Sequence, residues 1–304
     1  MRTERGDRFE MSKSGVIDLT TSPPGKKASK RKRAASKANR LTLTEDLEDE
    51  LKLALEKSKL VPTEQYVVRK TVRIRGGKKA KKQVATTAGL RATVIFAQYE
   101  CGTAVCIGAG GRFLTCAHCL GEEPQTGIQK FVVFMSGRIV LTESIAVDEK
   151  ADLALLKVVG EYRTGNEMMD YEVAGFAPFP SVPIGESLTL GETLVCYGQP
   201  GCDDLESKTA QKTGYDVFVR SIGLYENCLE GGIDDNTEIG KLQHGCWTYW
   251  GHSGAPLLNV ECQVVGLHSS WDDEEETRHG VHLSAIQNFL AKRVQFIVTE
   301  CIQK

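Results

Sequence analysis

The sequence predicts an all-β body ending in a C-terminal helix, preceded by a disordered basic arm with one helix. Three observations predict it. From about residue 91, short Val/Ile/Leu-rich runs recur between glycine-rich turns, the pattern of an all-β sandwich or barrel. Residues 1–90 carry 23 Lys/Arg against 11 Asp/Glu, and residues 91–304 carry 15 against 29. A net charge of −2 therefore hides a basic arm before an acidic body. Finally, 304 residues, 41% of them apolar, suffice for one large domain or two small ones.

Residues 1–40 are polar and poor in aromatics, so they bury too little surface to offset chain entropy. They hold a dense basic block, KKASKRKR at 26–33, which reads as a nuclear localisation signal. A second block, KKAKK at 78–82, reinforces it. Residues 44–59 are rich in Glu and Lys and lack Gly and Pro, which predicts a helix; Thr42 with Glu45 fits a capping box. Leu51, Ala54, Leu55 and Ser58 share one face of that helix.

Strand-like runs then follow: ATVIFAQ, TAVCIG, RFLTCA, FVVFM, LALLKVV, TLVCYG, DVFVRSIG, CQVVGLH and GVHLS. LSAIQNFLAKRVQFIVTECIQ at the end has helical spacing through Ile286, Phe289, Leu290 and Val294. No run of 18 apolar residues is present, so no membrane contact is expected. The first residues lack the apolar stretch of a secretory signal. The ten cysteines are therefore read for a reducing compartment.

Three fragments carry chemistry: TCAHC at 115–119, DLALLKV at 152–158 and GHSGAP at 251–256. Together, in the order His, Asp, Ser, they resemble the trypsin-like serine protease family over roughly residues 91–300. The resemblance implies a chymotrypsin-like fold of two barrels, 91–175 and 176–304, after an arm at 1–90. Serine is a poor nucleophile without a positioned base. The resemblance makes Ser253 the nucleophile, His118 the base and Asp152 the group that orients the imidazole, with Asp148 a nearby rival. Gly251 would turn the backbone so that its N–H, with that of Ser253, faces the developing oxyanion. No cofactor is called for. Cys116 and Cys119 make a poor metal site without a second pair at ligand spacing, so no metal is expected. Cys119 matches a half-cystine of secreted relatives, with Cys101 as its candidate partner.

His252 stands where digestive relatives have an aspartate that pairs with a newly cut N-terminus, so activation by such a cut is not expected. FPSVPIGESLTLGETLVCYGQPG at 179–201 resembles the second barrel's start in HtrA-type proteases. GAPLLNVECQVVGLHSSW after Ser253 is similar to glutamyl endopeptidases, in which the residues matching Thr248 and His268 line the specificity pocket. Those two would hydrogen-bond a carboxylate or carboxamide. The usual position of trypsin's pocket aspartate is Trp247, which disfavours Lys or Arg. DDEEE at 272–276 repels acidic substrates and attracts basic ones, the chain's own arm included.

Two further segments resemble binding motifs. EDELKLALEKS at 48–58 is similar to a ubiquitin-interacting motif, with Leu51, Ala54, Leu55 and Ser58 as the binding face. VIDLT at 16–20 resembles a SUMO-interacting motif, with Val16, Ile17 and Leu19 filling apolar slots. VRIRGG at 72–77 resembles the tail of ubiquitin. The expectation is a serine endopeptidase, nuclear or else cytoplasmic, acting on protein substrates. Its partners would be ubiquitin and SUMO conjugates and nuclear import receptors, with nucleic acid a further candidate for the arm. The rivals are a deubiquitinating protease and a silent ubiquitin- or SUMO-binding adaptor.

Overall fold

The first sheet curls on itself because β3 (Arg112–Thr115), at one end of its strand order, also pairs with β6 (Leu153–Arg163). The computed structural model describes residues 41–61, 87–98, 101–163, 167–170, 178–205, 207, 209 and 211–302. The SUMO-like segment, both basic blocks and VRIRGG lie outside these residues. The first sheet comprises β1 (Thr93–Phe96), β2 (Thr103–Gly108), β3 (Arg112–Thr115), β4 (Gln129–Phe134), β5 (Ile139–Asp148), β6 (Leu153–Arg163) and β7 (Glu167–Asp170). Their order is β3-β2-β1-β4-β5-β6-β7, and β3 also pairs with β6, which closes a six-stranded barrel with β7 outside it. The second barrel is closed in the order β10-β13-β12-β11-β8-β9. Its strands are β8 (Thr193–Gly198), β9 (Val219–Cys228), β10 (Leu242–His244), β11 (Pro256–Leu258), β12 (Val264–Asp272) and β13 (Thr277–His282). The two-barrel expectation therefore holds.

Closure removes exposed sheet edges and leaves two interiors to fill. Phe113, Phe134 and Phe179 fill the first, with Phe134 and Phe179 stacked at 5.8 Å between ring centroids. One buried cluster runs on from there into the second barrel through Val195, Leu258, Val264 and Leu267. The barrels thus share a core, so loops from each are held in fixed relation.

Among the described residues three α-helices accompany the barrels: α1 (Glu45–Leu60), α2 (Thr87–Ala92) and α3 (Leu283–Ile302). The first falls where the sequence places it, but its N-cap is Thr44, whose hydroxyl accepts from Leu47 N at 3.4 Å, and not Thr42. Its partners are a correction to the arm's expected independence. Ala54 is fully buried, and Leu47, Leu51 and Leu55 pack with it against Phe131, Val133 and Ile139 on the wall of the first barrel. Polar groups fasten the same face. Lys57 Nζ donates to the carbonyls of Phe96 (2.8 Å) and Gln98 (3.0 Å), and Glu50 pairs with Lys130 at 3.2 Å. An apolar stripe buries itself against the nearest apolar surface, and here that surface belongs to the same chain.

Candidate active site

His118 sits in a single 3-10 turn, Ala117–Leu120, directly after β3. Asp152 sits just before β6 in the turn that follows β5, with φ of 52° and its N–H bonded to the Glu149 carbonyl at 3.1 Å. Because β3 and β6 pair, Thr115 lies opposite Ala154, and the residues just outside the strand ends meet. His118 Nδ1 lies 3.0 Å from both oxygens of Asp152, and the His118 backbone N–H donates to Oδ1 at 3.2 Å. The carboxylate therefore holds His118 at two points, the ring and the backbone. The Asp152 side chain is 11% exposed and that of His118 50%, so the ring presents its other nitrogen, Nε2, to the cleft. Burial alone would lower the His118 pKa, but the hydrogen bond and charge of Asp152 outweigh it, and the net shift is upward. Asp148 acts elsewhere. Its Oδ1 accepts from Ala151 N at 3.0 Å and so pins the turn.

Ser253 comes from the second barrel, on the loop between β10 and β11. Two glycines shape this loop. Gly251 has φ of +99°, and Gly254 has φ of +79°. A Cβ on Gly254 would overlap the Thr103 carbonyl and the Thr115 hydroxyl, so only glycine fits. Among the described residues neither Gly251 N–H nor Ser253 N–H has an acceptor, which leaves two donors on one short turn for an oxyanion. Ser253 Oγ donates to the Ser269 carbonyl at 3.4 Å, and no hydrogen bond joins it to His118. Hydroxyls of this kind commonly align with their base only when substrate is bound.

Thr103, which the sequence reading did not single out, joins the two halves. Its N–H donates to the Ser253 carbonyl at 2.8 Å, and its hydroxyl donates to the Gly251 carbonyl at 3.0 Å. The same hydroxyl accepts from Gln199 N at 3.1 Å. No motif marks Thr103, because its work is done by backbone and hydroxyl alone.

His268 is buried on β12, and Thr248 is buried in the serine loop, with no hydrogen bond between them among the described residues. His268 instead pairs with His244, Nδ1 to Nε2 at 3.1 Å, a partner the sequence did not reveal because β10 is only three residues long. Burial pushes the pKa of both rings down, that of His244 to about 3, so both are neutral near pH 7. His252 is also buried and neutral, its Nδ1 lying 3.0 Å from the Tyr249 carbonyl. A cleft of about 420 Å³ opens beside the catalytic pair, lined by His118, Asp152, Ser270, Glu122, Glu149 and Glu238.

Cys101 and Cys119 are both free thiols, and Cys119 donates to the Ser253 carbonyl at 3.3 Å. Burial pushes the Cys119 thiol up to about 12, so it stays protonated. Cys116, His118 and Asp152 bring three ligand-type atoms within 4.8 Å of one another. His118 Nδ1 and Asp152 already engage each other there, and the Cys116 thiol donates to the His268 carbonyl at 3.4 Å.

Of the ubiquitin-binding set, Leu51, Ala54 and Leu55 face the barrel, and Ser58 Oγ donates within the helix to the Leu55 carbonyl at 2.8 Å. The face expected to meet ubiquitin is covered in this structure. Val16, Ile17 and Leu19 lie outside the described residues.

Comparison with known proteins gives a consistent result. The trypsin-like peptidase domain family matches residues 102–267. Serine protease HTRA1 of Xenopus laevis is 25% identical over 175 residues, covering 55% of this chain and 31% of that protein. Serine protease Do-like HtrA of Lactococcus lactis is 29% identical over 139 residues, covering 46% of this chain and 29% of the other. The chain spans about a third of the length of the curated relatives it matches. An inactive form of Rv3671c from M. tuberculosis H37Rv, a serine-to-alanine mutant, superimposes with a TM-score of 0.50 at 16% identity. That match covers 73% of this chain and 96% of the other, and it shows a shared fold.

Proposed function

The chain belongs to the trypsin-like peptidase family, and on that premise we propose that it is a serine endopeptidase. One observation carries this reading: Asp152 grips His118 at Nδ1 and at the backbone, beside a serine on a turn with two unused N–H donors. In the reaction His118 Nε2 takes the proton of Ser253 Oγ as it attacks the scissile carbonyl. Asp152 stabilises the imidazolium so formed, and the Gly251 and Ser253 N–H groups receive the oxyanion. The imidazolium then protonates the leaving amine, and water repeats the sequence on the acyl-enzyme.

The pocket reading extends this to substrate. His268 and Thr248 favour Glu, or Gln and Asp, immediately before the cut bond, because a pocket of polar groups discriminates against side chains that leave them unpaired. Profiling of a peptide library tests this. Glu, Gln or Asp is expected; arginine would refute the pocket, and glycine would promote the deubiquitinating alternative. The silent-adaptor alternative is disfavoured by a complete catalytic set.

The finer reading is a nuclear enzyme recruited to modified proteins. It rests on the basic block at 26–33 and on the SUMO-like segment Val16–Thr20. Recruitment to ubiquitin through α1 competes with the helix's own docking, so it requires α1 to leave the barrel. Binding of SUMO to the full chain, lost on replacing Val16, Ile17 and Leu19 with alanine, tests the recruitment half.

A further inference from the structure

We infer that Lys57, on the arm's helix α1, is a positioning residue for His118: it fixes the end of β1, and the end of β1 fixes the turn that carries His118. This rests on the endopeptidase reading and makes α1 part of the working enzyme. A lysine in the last turn of a helix ordinarily stays in water, close to the helix's own last carbonyls. Lys59 is exposed in that way. Lys57 turns instead to another element. Its Nζ donates to the carbonyls of Phe96 at 2.8 Å and Gln98 at 3.0 Å, at the end of β1 and two residues beyond it. Burial pulls its pKa down from the usual 10.5, as befits an ammonium withdrawn from water, while the thiols of Cys101 and Cys202 act the other way. Such a withdrawal is costly unless the donors find acceptors, and two of the three find them at the end of β1.

The same short stretch reaches the active site. The Gln98 side chain donates through Nε2 to the Cys119 carbonyl at 3.1 Å. Cys119 follows His118 in the turn Ala117–Leu120. Lys57, Gln98 and Cys119 thus form one line of hydrogen bonds from α1 to the residue beside the base. Between them, Ala97 N–H donates to the Phe131 carbonyl at 2.9 Å, on the barrel wall where α1 packs. On the far side the Cys119 thiol donates to the Ser253 carbonyl, so the turn also touches the serine loop.

The site leaves little tolerance for a loose turn. His118 meets Asp152 through Nδ1 at 3.0 Å and through its backbone N–H at 3.2 Å, and both contacts are set by where the turn sits. Nε2 must in addition meet Ser253 Oγ when substrate binds. A misplacement of about 1 Å costs up to about 10²-fold in rate. The apolar stripe Leu47, Leu51, Ala54 and Leu55 anchors α1 to the wall. Lys57 adds two polar ties aimed at the end of β1, and the line they begin ends at the catalytic turn.

The test uses the full chain, a short fluorogenic peptide and a fluorophosphonate probe, with rates expressed per folded chain after thermal melts. Lys57→Met keeps an apolar stem and removes the donors; Gln98→Leu cuts the next link. Each should lower kcat and the rate of probe labelling at least about tenfold, with KM held within about twofold. The double variant should be no slower than the slower single one, because both cut the same line. Lys57→Arg, which keeps donors for both carbonyls, should restore most of the rate. Lys52→Met, on an exposed lysine of the same helix, should leave kcat unchanged. Should Lys57→Met fail to fold, Gln98→Leu decides alone. A kcat unmoved in Lys57→Met or in Gln98→Leu overturns the inference, as do losses that multiply in the double variant; in those outcomes the endopeptidase reading stands. A native chain that neither cleaves peptide nor labels at Ser253 overturns both.

Discussion

In the proposed mechanism His118 works as a base only while it is neutral, so kcat/KM is expected to fall as pH drops through its pKa. That pKa stands above the ordinary histidine value of 6.5, because Asp152 outweighs burial. The acid limb of the pH profile is therefore expected with its midpoint above 6.5. Asp152→Asn removes the stabilising charge, so the limb should move to lower pH while turnover falls by about 10⁴. Asp148→Asn should keep the limb in place, since Asp148 touches the turn and not the ring. A profile in which Asp148→Asn moves the limb and Asp152→Asn does not would exchange the two roles. His118, Asp152 and Ser253, the proposed triad, were legible in the sequence because each sits in a short local pattern beside a strand. Thr103 and His244 were not. Each acts through a contact made across strands, and such contacts leave no trace in neighbouring residues.

At the scale of elements, α1 shows how a correct local reading can miss its surroundings. Its helical period and apolar stripe were plain, and the sequence placed its ends within a residue. What the stripe would touch was not plain, since a ubiquitin surface and a barrel wall are equally apolar to it. Ala54 is buried there with no room to grow. Ala54→Gln should cost about 1–3 kcal/mol through overpacking. That should lower Tm by roughly 2–4 °C per kcal/mol. A thermal melt checks this, and an unchanged Tm would mean that α1 does not dock in solution. Among the strands, β5, β7, β10 and β11 escaped the sequence reading. β10 and β11 have three residues each, too few for alternation to register, and β5 interrupts its apolar pattern with Thr142, Glu143 and Ser144.

The whole molecule joins a basic arm to an acidic body, and the serine loop is already formed within that body. His252 fills the place of a carboxylate that would wait for a new N-terminus, and it is bonded to Tyr249 instead. The full chain is therefore expected to be active without trimming. A chain beginning at residue 41 should match it on short peptides. Activity that appears only after a defined N-terminal cut would contradict this. The central claim is that Ser253 is a nucleophile served by His118. Labelling with a fluorophosphonate probe, followed by mass spectrometry of the modified peptide, tests it most directly. The account predicts one adduct per chain, on Ser253, lost in Ser253→Ala and slowed by about 10⁴ in His118→Ala. An unlabelled native protein, or equal labelling of native protein and Ser253→Ala, would contradict it.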